Sequence, residues 1–247
     1  MIRKNIILLF FTSLLLVNCG GSVDESQSDD IAPIAYDRAK MLVHWADKII
    51  LPAHSSFKQT LIDLDNSTKS FVAVPNQSNL DDIRSKWLIS YKSWQHIEMF
   101  DIGKSEEIYF KSKMNSYPAF KTRIENNIML GNTNFDDVSN YSSQGFPALD
   151  YMLFGIASDD TNILNKYTGG YDYSNYLTSL VNKMLNSTSS VINDWSDYRT
   201  SFISSTDNTA SSSVNKLIND FIFYYEKGLR ANKVGIPAGV FSGNPLK

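Results

Sequence analysis

Residues 145–155 read Gly-Phe-Pro-Ala-Leu-Asp-Tyr-Met-Leu-Phe-Gly, and this stretch indicates the fold of the chain more strongly than any other. Pro147 suits the first turn of a helix, where its missing N–H removes no hydrogen bond. Gly155 is typical of a helix end. The stretch therefore predicts a short apolar helix that opens at Pro147, closes at Gly155 and carries one carboxylate, Asp150.

Outside this stretch, apolar residues recur mainly at helical spacing, and no segment shows the alternation of period two that indicates a strand. Pro52 is expected to break or kink the first helix. Residues 66–78 are expected to form mostly a loop, although Phe71-Val72-Ala73-Val74 could extend a helix. Asn79 is expected to cap the helix after that loop, and Ser105 a later one. The predicted fold is an all-α helical bundle. Its main helices are predicted at residues 36–50, 53–64, 79–100, 120–130, 174–204 and about 214–229.

The composition is that of a globular protein, with 43% hydrophobic and 20% charged residues among 247. The formal net charge is −3. Nucleic-acid partners are not expected, because the sequence has no broad basic field to attract phosphates.

The N-terminus has the pattern of an export signal. Arg3 and Lys4 precede an apolar run over residues 6–17, which is too short to cross a bilayer comfortably. The run ends in Leu-Val-Asn-Cys at residues 16–19, which resembles a bacterial lipobox and contains the only cysteine of the chain, Cys19. The sequence predicts a lipoprotein signal peptide over the first 19 residues and lipidation of Cys19.

Asn18 stands where a lipobox usually has a smaller residue, so cleavage elsewhere, with Cys19 discarded, is an open alternative. Residues 20–32 are small, polar and acidic, and they predict a flexible tether; they also resemble a surface-export signal of some Gram-negative lipoproteins. The expected location is the bacterial cell envelope, on the periplasmic face or at the cell surface. With one cysteine there is no intrachain disulfide, so packing alone must hold the folded body, residues 33–247.

Four segments, in this order along the chain, together resemble the imelysin-like family, which includes insulin-cleaving envelope proteases and iron-regulated envelope proteins. The resemblance implies an all-α fold of two helical bundles with a functional site between them, and a link to iron or haem acquisition. The segments are Ile50-Leu51-Pro52-Ala53-His54 with Phe57, residues 87–103 with Trp94, Glu98, Phe100 and Gly103, residues 145–155, and residues 225–237 with Glu226, Arg230 and Lys233.

The third segment resembles the family motif Gly-x-His-x-x-Glu, but Pro147 and Asp150 stand at its histidine and glutamate. A His and a Glu three residues apart on a helix can share a metal or a proton. Pro147 has no ligand atom, and one carboxylate does not make a catalytic zinc site. Asp150 is therefore either a surviving ligand or an acid placed near a helix N-terminus for its dipole.

The resemblance also concerns length, because family members usually continue with several helices beyond the Gly-Ile-Pro segment at residues 235–237. The second bundle is therefore expected to be incomplete, either in a truncated product or in a short relative. Missing helices would leave an apolar face exposed, so aggregation or dimerisation is expected in that case.

Glu98 is a candidate site residue because it shares a predicted helix face with three aromatic residues. A buried carboxylate needs a partner or a raised pKa. Arg230 is the expected partner, and Glu226 can also pair with it at a spacing of four. Such a network either ties helices together or belongs to a ligand site, and both interpretations stay open. The aromatic residues of this face are Trp87, Tyr91 and Trp94.

The histidines give weaker indications. His44 and Asp47 have a spacing that suits half a metal site but often arises by chance. His54 follows Pro52 and either approaches the site or bonds locally, and His96 is expected to be exposed.

Three functional hypotheses follow. The first is a non-proteolytic, lipid-anchored binding protein that binds iron, another divalent metal, haem or a peptide-like ligand, or docks an envelope protein. The second is a metallopeptidase of the imelysin type, and the third is a truncated chain with an incomplete site. The candidate site residues are His54, Glu98, Asp150, Glu226 and Arg230.

Overall fold

The computed structural model describes residues 37–169, 172–241 and 243. The predicted signal peptide, the lipidation site Cys19 and the tether to residue 32 lie outside these residues. Within them the chain forms helices and no strand, which confirms the all-α prediction. In the same part of the chain, no helix combines the length and the apolar character that crossing a membrane requires.

The helices follow one another with short connections. The α-helices are α1 (Arg38–His44), α2 (Leu51–Ala73), α3 (Gln77–Trp94), α4 (Lys104–Glu107), α5 (Phe110–Met114), α6 (Lys121–Leu130), α7 (Gly145–Asp150), α8 (Asp160–Thr168), α9 (Tyr173–Ser204) and α10 (Ser213–Phe223). A 3-10 helix spans Val138–Ser143. Three segments are π-helical, Trp45–Ile50, Tyr151–Gly155 and Tyr224–Gly235.

The core forms where α2 lies against α3 and α9. Each of these helices has an apolar stripe at helical spacing, and burying the stripes against one another supplies most of the driving force for the fold. Fully buried side chains along this contact include Leu61 and Leu64 of α2, Ile83 of α3 and Val181 of α9.

The short helix α7 inserts an aromatic ring into this core. The ring of Phe146 lies 5.1 Å from that of Tyr91, 6.1 Å from that of Phe57 and 6.4 Å from that of Trp94. Gly145 has φ +73°, and a Cβ there would lie 2.2 Å from the carbonyl oxygen of Met114. Only glycine fits this position, so Gly145, the first residue of α7, allows the close contact of α7 with α5.

Pro52 does not break the helix, so the break expected there was wrong, and the alternative of a kink stays a prediction. It lies in the first turn of α2, where the π-helical bonding of residues 45–50 changes to α-helical bonding. The N–H of Leu51 bonds back to the carbonyl of Ala46. At such a junction a residue without an N–H fits without a chain break.

The predicted loop over residues 66–78 was also wrong, because α2 continues to Ala73. Thr68 is buried within it, and its hydroxyl donates to the carbonyl of Leu64 at 2.8 Å, so this polar side chain adds no unpaired group to the core. Asn76, rather than Asn79, caps α3 by accepting the N–H of Asn79 at 2.9 Å. Tertiary packing of the long α2 overrides the local preference of its polar residues for a loop.

Two further boundaries differ from the sequence expectation. Helix α3 ends at Trp94, so Glu98 lies in the turn that follows it rather than on the helix. Ser105 is inside α4, and Gly103 with φ +60° precedes that helix. The predictions for α6, ended by the left-handed Gly131, and for α9 are confirmed.

The last helical arm, α10 with the π-helical segment after it, is only partly covered. Leu217 is buried, whereas Phe221 is 51% exposed although the sequence places both on one apolar face. Neighbouring apolar side chains share this exposure, namely Ile218, Ile222, Phe223 and Tyr225. The arm thus presents apolar side chains to solvent.

Candidate functional site

An open groove follows the outer side of α3 and is the candidate functional site. Its walls are α3, residues 115–121, the α7 helix with its π-helical extension, and residues 228–237. One end, which contains Asp150, has a volume of about 630 Å³. The other end, which contains Glu98, has a volume of about 490 Å³. Tyr91 and Tyr117 line both ends and join them into one groove.

Aromatic side chains form most of the wall at the Asp150 end. The ring of Trp87 stacks on that of Tyr91 at 5.6 Å, and the ring of Phe154 meets Trp87 edge-on at 5.5 Å. The Trp87 indole N–H donates to the carbonyl of Phe146 at 3.2 Å, which fixes the ring against α7. This end therefore offers large, oriented aromatic surfaces to a ligand.

Asp150 is the only carboxylate among the residues that line this end. Its side chain keeps contact with solvent, yet partial burial in the groove raises its pKa, and the charge of Lys121 opposes this rise only in part. Asp150 is the sixth residue of α7, beyond the first turn, so a helix-dipole role does not explain it. Among the described residues no donor or cation pairs with it directly, which leaves the carboxylate available.

Two polar anchors hold the π-helical segment that continues from Asp150. Glu125 accepts hydrogen bonds from the hydroxyls of Tyr151 at 2.7 Å and Tyr173 at 2.6 Å. Arg84 donates to the carbonyl of Leu153 at 2.8 and 3.0 Å and pairs with Asp160 at 2.7 Å. Single π-helical turns are rare and frequently occur at functional sites.

At the other end of the groove, Glu98 is 6% exposed and fully paired. One carboxylate oxygen accepts from the amide of Asn115 at 3.1 Å, and the other accepts from Lys233. Lys233 also donates to Gln95 and to the hydroxyl of Tyr224. Burial alone would lower the pKa of Lys233, but the bond to Glu98 and the contact with Tyr224 raise it above its ordinary value.

The predicted bond between Glu98 and Arg230 was wrong. Arg230 is 71% exposed and pairs with Glu226 at 2.9 Å, which confirms the predicted pair of these two residues. Neither lines the groove. Residues 224–235, which contain both Arg230 and Lys233, are π-helical. Nine residues make about two turns of a helix with i to i+5 bonds, but two and a half turns of an α-helix. Tyr224 and Lys233 therefore share a face that α-helical spacing would separate.

Tyr91 lies between the two charged ends. Burial raises the pKa of its phenol, and the charges of Lys233, Glu98 and Asp150 all act on it. Charged groups at both ends of the groove are therefore close enough to Tyr91 to affect the pKa of its hydroxyl.

The chain was compared with known protein families and structures. A model of the imelysin family matches residues 50–245. The chain belongs to the imelysin family. No curated protein shows a significant match to it.

Two crystal structures share the fold of this imelysin. An imelysin-like protein from Psychrobacter arcticum 273-4 superposes with a TM-score of 0.66 and 17% identity, over 83% of this chain and 64% of that one. A protein described as an iron-regulated protein A precursor, from Parabacteroides distasonis ATCC 8503, superposes with a TM-score of 0.64 and 18% identity, over 84% and 63%. The chain spans less than two-thirds of the length of either neighbour.

The histidines of this imelysin lie away from the groove lining. His54 is buried, its Nδ1–H donates to the carbonyl of Ile50 at 2.9 Å, and burial lowers its pKa. Local bonding was the correct alternative, and approach to the site was not. Asp47 forms a bidentate pair with Arg199, both bonds 2.7 Å, so it does not act with His44 as half a metal site. His96 is exposed as predicted.

The groove does not fit a metal ion held by protein ligands. Pro147 occupies the position of the motif histidine, and Asp150 contributes one carboxylate where catalytic zinc generally has three protein ligands. Within residues 37–169 and 172–241, no three His, Cys, Asp or Glu side chains lie together as a metal would require. What the groove retains is an aromatic wall, an available carboxylate and the paired Glu98 and Lys233.

Proposed function

We propose that this chain is a non-proteolytic ligand-binding member of the imelysin family, anchored in the bacterial cell envelope and acting in iron or haem acquisition. The observation that carries the proposal is the groove beside α7. The motif helix still shapes a cavity of about 630 Å³ with an unpaired carboxylate, while proline stands at the position of the motif histidine. Cavities of several hundred Å³ with apolar walls and few polar groups are typical binding sites for small organic molecules.

Peptide hydrolysis by a metal would need an ion with an open coordination position and a base to accept a proton from water. Pro147 supplies neither a ligand nor a base, and Asp150 has no second ligand beside it. Glu98 cannot replace the missing group, because Lys233 and Asn115 already occupy its oxygens. The groove therefore supports binding rather than cleavage.

The link to iron comes from the family and from the Parabacteroides neighbour, which is described as iron-regulated. Because the groove offers no ligand set for a bare ion, iron would enter it as part of an organic molecule, such as haem or another chelate. The aromatic wall formed by Trp87, Tyr91 and Phe154 suits the flat or apolar portion of such a molecule.

The envelope location rests on residues 1–19 and on Cys19. In the native host, wild-type protein is expected to fractionate with membranes and to carry a lipid mass increment. Cys19→Ser is expected to lose both. A Cys19→Ser protein that keeps its lipid and its membrane association would overturn the anchoring proposal.

Binding and cleavage can be separated with the full-length chain in mild detergent. Calorimetric titration is expected to show saturable binding of haem or of a ferric chelate, and no heat with free ferrous, ferric or zinc ions. Incubation with an unfolded protein substrate is expected to give no cleavage, with or without chelator. Chelator-sensitive cleavage that Asp150→Ala abolishes would overturn the proposal in favour of a metallopeptidase. Failure to bind any of these iron compounds would overturn the role in iron acquisition.

A further inference from the structure

The Asp150 end of the groove combines two features that recognise the same kind of ligand. Its wall is aromatic, with Trp87, Tyr91 and Phe154 packed against one another. Its only carboxylate, Asp150, is exposed to solvent and has no direct partner among the described residues, so it is free to pair with a cationic ligand.

Two rings at this end already attract cations of the protein itself. The guanidinium carbon of Arg84 lies 4.6 Å from the centre of the Phe154 ring. The ammonium of Lys121 lies 5.6 Å from the centre of the Tyr151 ring. Aromatic faces stabilise cations within about 6 Å of the ring centre, and the effect grows when water is excluded. Rings at this end therefore already contact positive charge, and Arg84 occupies one face of Phe154.

A metal ion and an organic cation make different demands on such a site. A metal ion needs several lone pairs at short distance, which the groove does not supply. An organic ammonium needs one carboxylate for its charge and aromatic or apolar surface for its carbon atoms. The residues at this end meet the second set of requirements.

We propose that the Asp150 end of the groove is a binding site for an organic ammonium group, with Asp150 as counter-ion and Trp87, Tyr91 and Phe154 as the aromatic wall. This inference rests on the proposed function of the groove as a ligand site, and it names the chemical class of the part of the ligand that enters this end. An iron chelate that carries a free ammonium would satisfy both proposals.

Lys121 has a defined place in this arrangement. Its charge acts on Asp150 from the rim of the groove without a direct ion pair, and its side chain is exposed. A bound ammonium replaces Lys121 as the principal counter-charge of Asp150 and is repelled by it. Removal of the Asp150 charge should therefore weaken binding of an ammonium, and removal of the Lys121 charge should strengthen it.

The test compares two probes of the same shape, choline and its uncharged carbon analogue 3,3-dimethyl-1-butanol, on the full-length chain in detergent. Calorimetry is expected to give at least tenfold tighter binding of choline. A second pair, N-acetyl-lysine amide and N-acetyl-norleucine amide, compares a primary ammonium with an uncharged analogue in the same way. A preference for the charged member of either pair supports the site and identifies the kind of ammonium.

Three variants assign the preference to this end of the groove. Asp150→Asn is expected to reduce the preference for the charged probe about tenfold, because it weakens binding of that probe alone. Lys121→Met is expected to increase the same preference severalfold. Glu226→Gln, a change of an exposed carboxylate outside the groove, is the matched control and should leave the preference unchanged.

Equal affinity for both members of each pair, absence of binding by all four probes, or a preference that Asp150→Asn leaves intact would overturn the inference. These outcomes leave the proposed function standing if haem or a ferric chelate still binds. Conversely, chelator-sensitive proteolysis would remove the proposed function whatever the probes show.

Discussion

Lys233 donates a hydrogen bond to the buried carboxylate of Glu98, and this contact joins the C-terminal π-helical segment to the turn after α3. The two residues are 135 positions apart in the chain. The contact closes one end of the groove and brings a positive charge to a carboxylate that would otherwise be buried without one.

Removing the cation of this pair should destabilise the protein strongly. Lys233→Met leaves the Glu98 carboxylate buried and uncompensated, and we expect a loss of about 3 kcal/mol in the free energy of unfolding. Arg230→Met, in the same segment but in an exposed pair, should change that free energy by less than about 0.5 kcal/mol. Urea unfolding followed by tryptophan fluorescence measures both.

The double variant Glu98→Met with Lys233→Met is a further check on the same pair. Because it removes both charges, it should recover much of the stability lost in Lys233→Met alone. Equal losses in Lys233→Met and Arg230→Met would contradict the assigned partner.

Gly145 should tolerate no side chain. Gly145→Ala places a methyl group 2.2 Å from the Met114 carbonyl oxygen and holds alanine in a left-handed conformation. We expect a destabilisation of about 3 kcal/mol or more. Gly131→Ala is the control, because Gly131 has φ +63° with open space around it, and it should lose only about 1 kcal/mol. Thermal unfolding distinguishes the two, and similar losses would show that the close contact with α5 has little effect.

Arg84 should matter for both stability and the groove. Arg84→Met leaves the carbonyl of buried Leu153 without its donor, and we expect a cost of about 2 kcal/mol. The same change removes the bonds that hold the Leu153 carbonyl beside Phe154, so the aromatic wall loses its fixed position and affinity for ligands at the Asp150 end should also fall. Arg38→Met, which removes an arginine bound to carbonyl oxygens at the exposed end of α9, should cost less than about 1 kcal/mol and leave ligand affinity unchanged. If Arg84→Met binds ligands as tightly as wild type, Arg84 does not influence the Asp150 end of the groove.

Asp220 should make stability depend on pH. Its burial, followed by the charge of Asp101, raises the pKa of the carboxyl from 3.8 to about 6, and Oδ2 is buried without a hydrogen-bond partner among the described residues. The folded state therefore holds the proton more tightly than the unfolded state. This contribution is fully present below pH 4 and is lost as the pH rises to about 6.

The size of this effect is limited by the partial exposure of Asp220. The raised pKa corresponds to at most about 3 kcal/mol, which solvent screening reduces to about 1 kcal/mol. Asp220→Asn removes the titrating group, so the variant should gain stability relative to wild type between pH 4 and pH 7. Urea midpoints at several pH values measure the difference, and a wild-type-minus-variant difference that does not change with pH would contradict the assignment.

The sequence predicted the regular parts of this fold well. In α9, Leu177, Leu180, Met184 and Val191 recur at helical spacing and are all buried, and the predicted helix agrees with the observed one within a residue at its start. Such a long stripe is a strong signal, because only a helix places these side chains on one face.

Positions governed by packing were harder to predict. Residues 66–70 are polar enough to indicate a loop, yet they continue α2. The ring of Phe71 packs against that of Tyr167 at 4.7 Å, and the Thr68 hydroxyl donates to the carbonyl of Leu64. Pro52 indicates a break, yet it fits at the change from π- to α-helical bonding. Local preferences amount to fractions of a kcal/mol per residue, and burial of large side chains exceeds them.

For the candidate site, the sequence identified Glu98 and Asp150 and missed Lys233. Lys233 lies in the last of the four segments that resemble the family, but its role was not predicted, because residues 135 positions apart are brought together only by tertiary packing. Pairing of Glu226 with Arg230 depends only on a spacing of four and was predicted correctly.

The sequence by itself determined that this protein is all-helical, that it belongs with the imelysins, and that the motif histidine is replaced by Pro147, because periodicity and residue identity are local properties. The tertiary structure alone decided that Glu98 pairs with Lys233 and that Asp150 faces an aromatic groove. The physical reason is that a π-helical turn rotates every later side chain away from its α-helical position, and only packing against the rest of the molecule decides where such a turn forms.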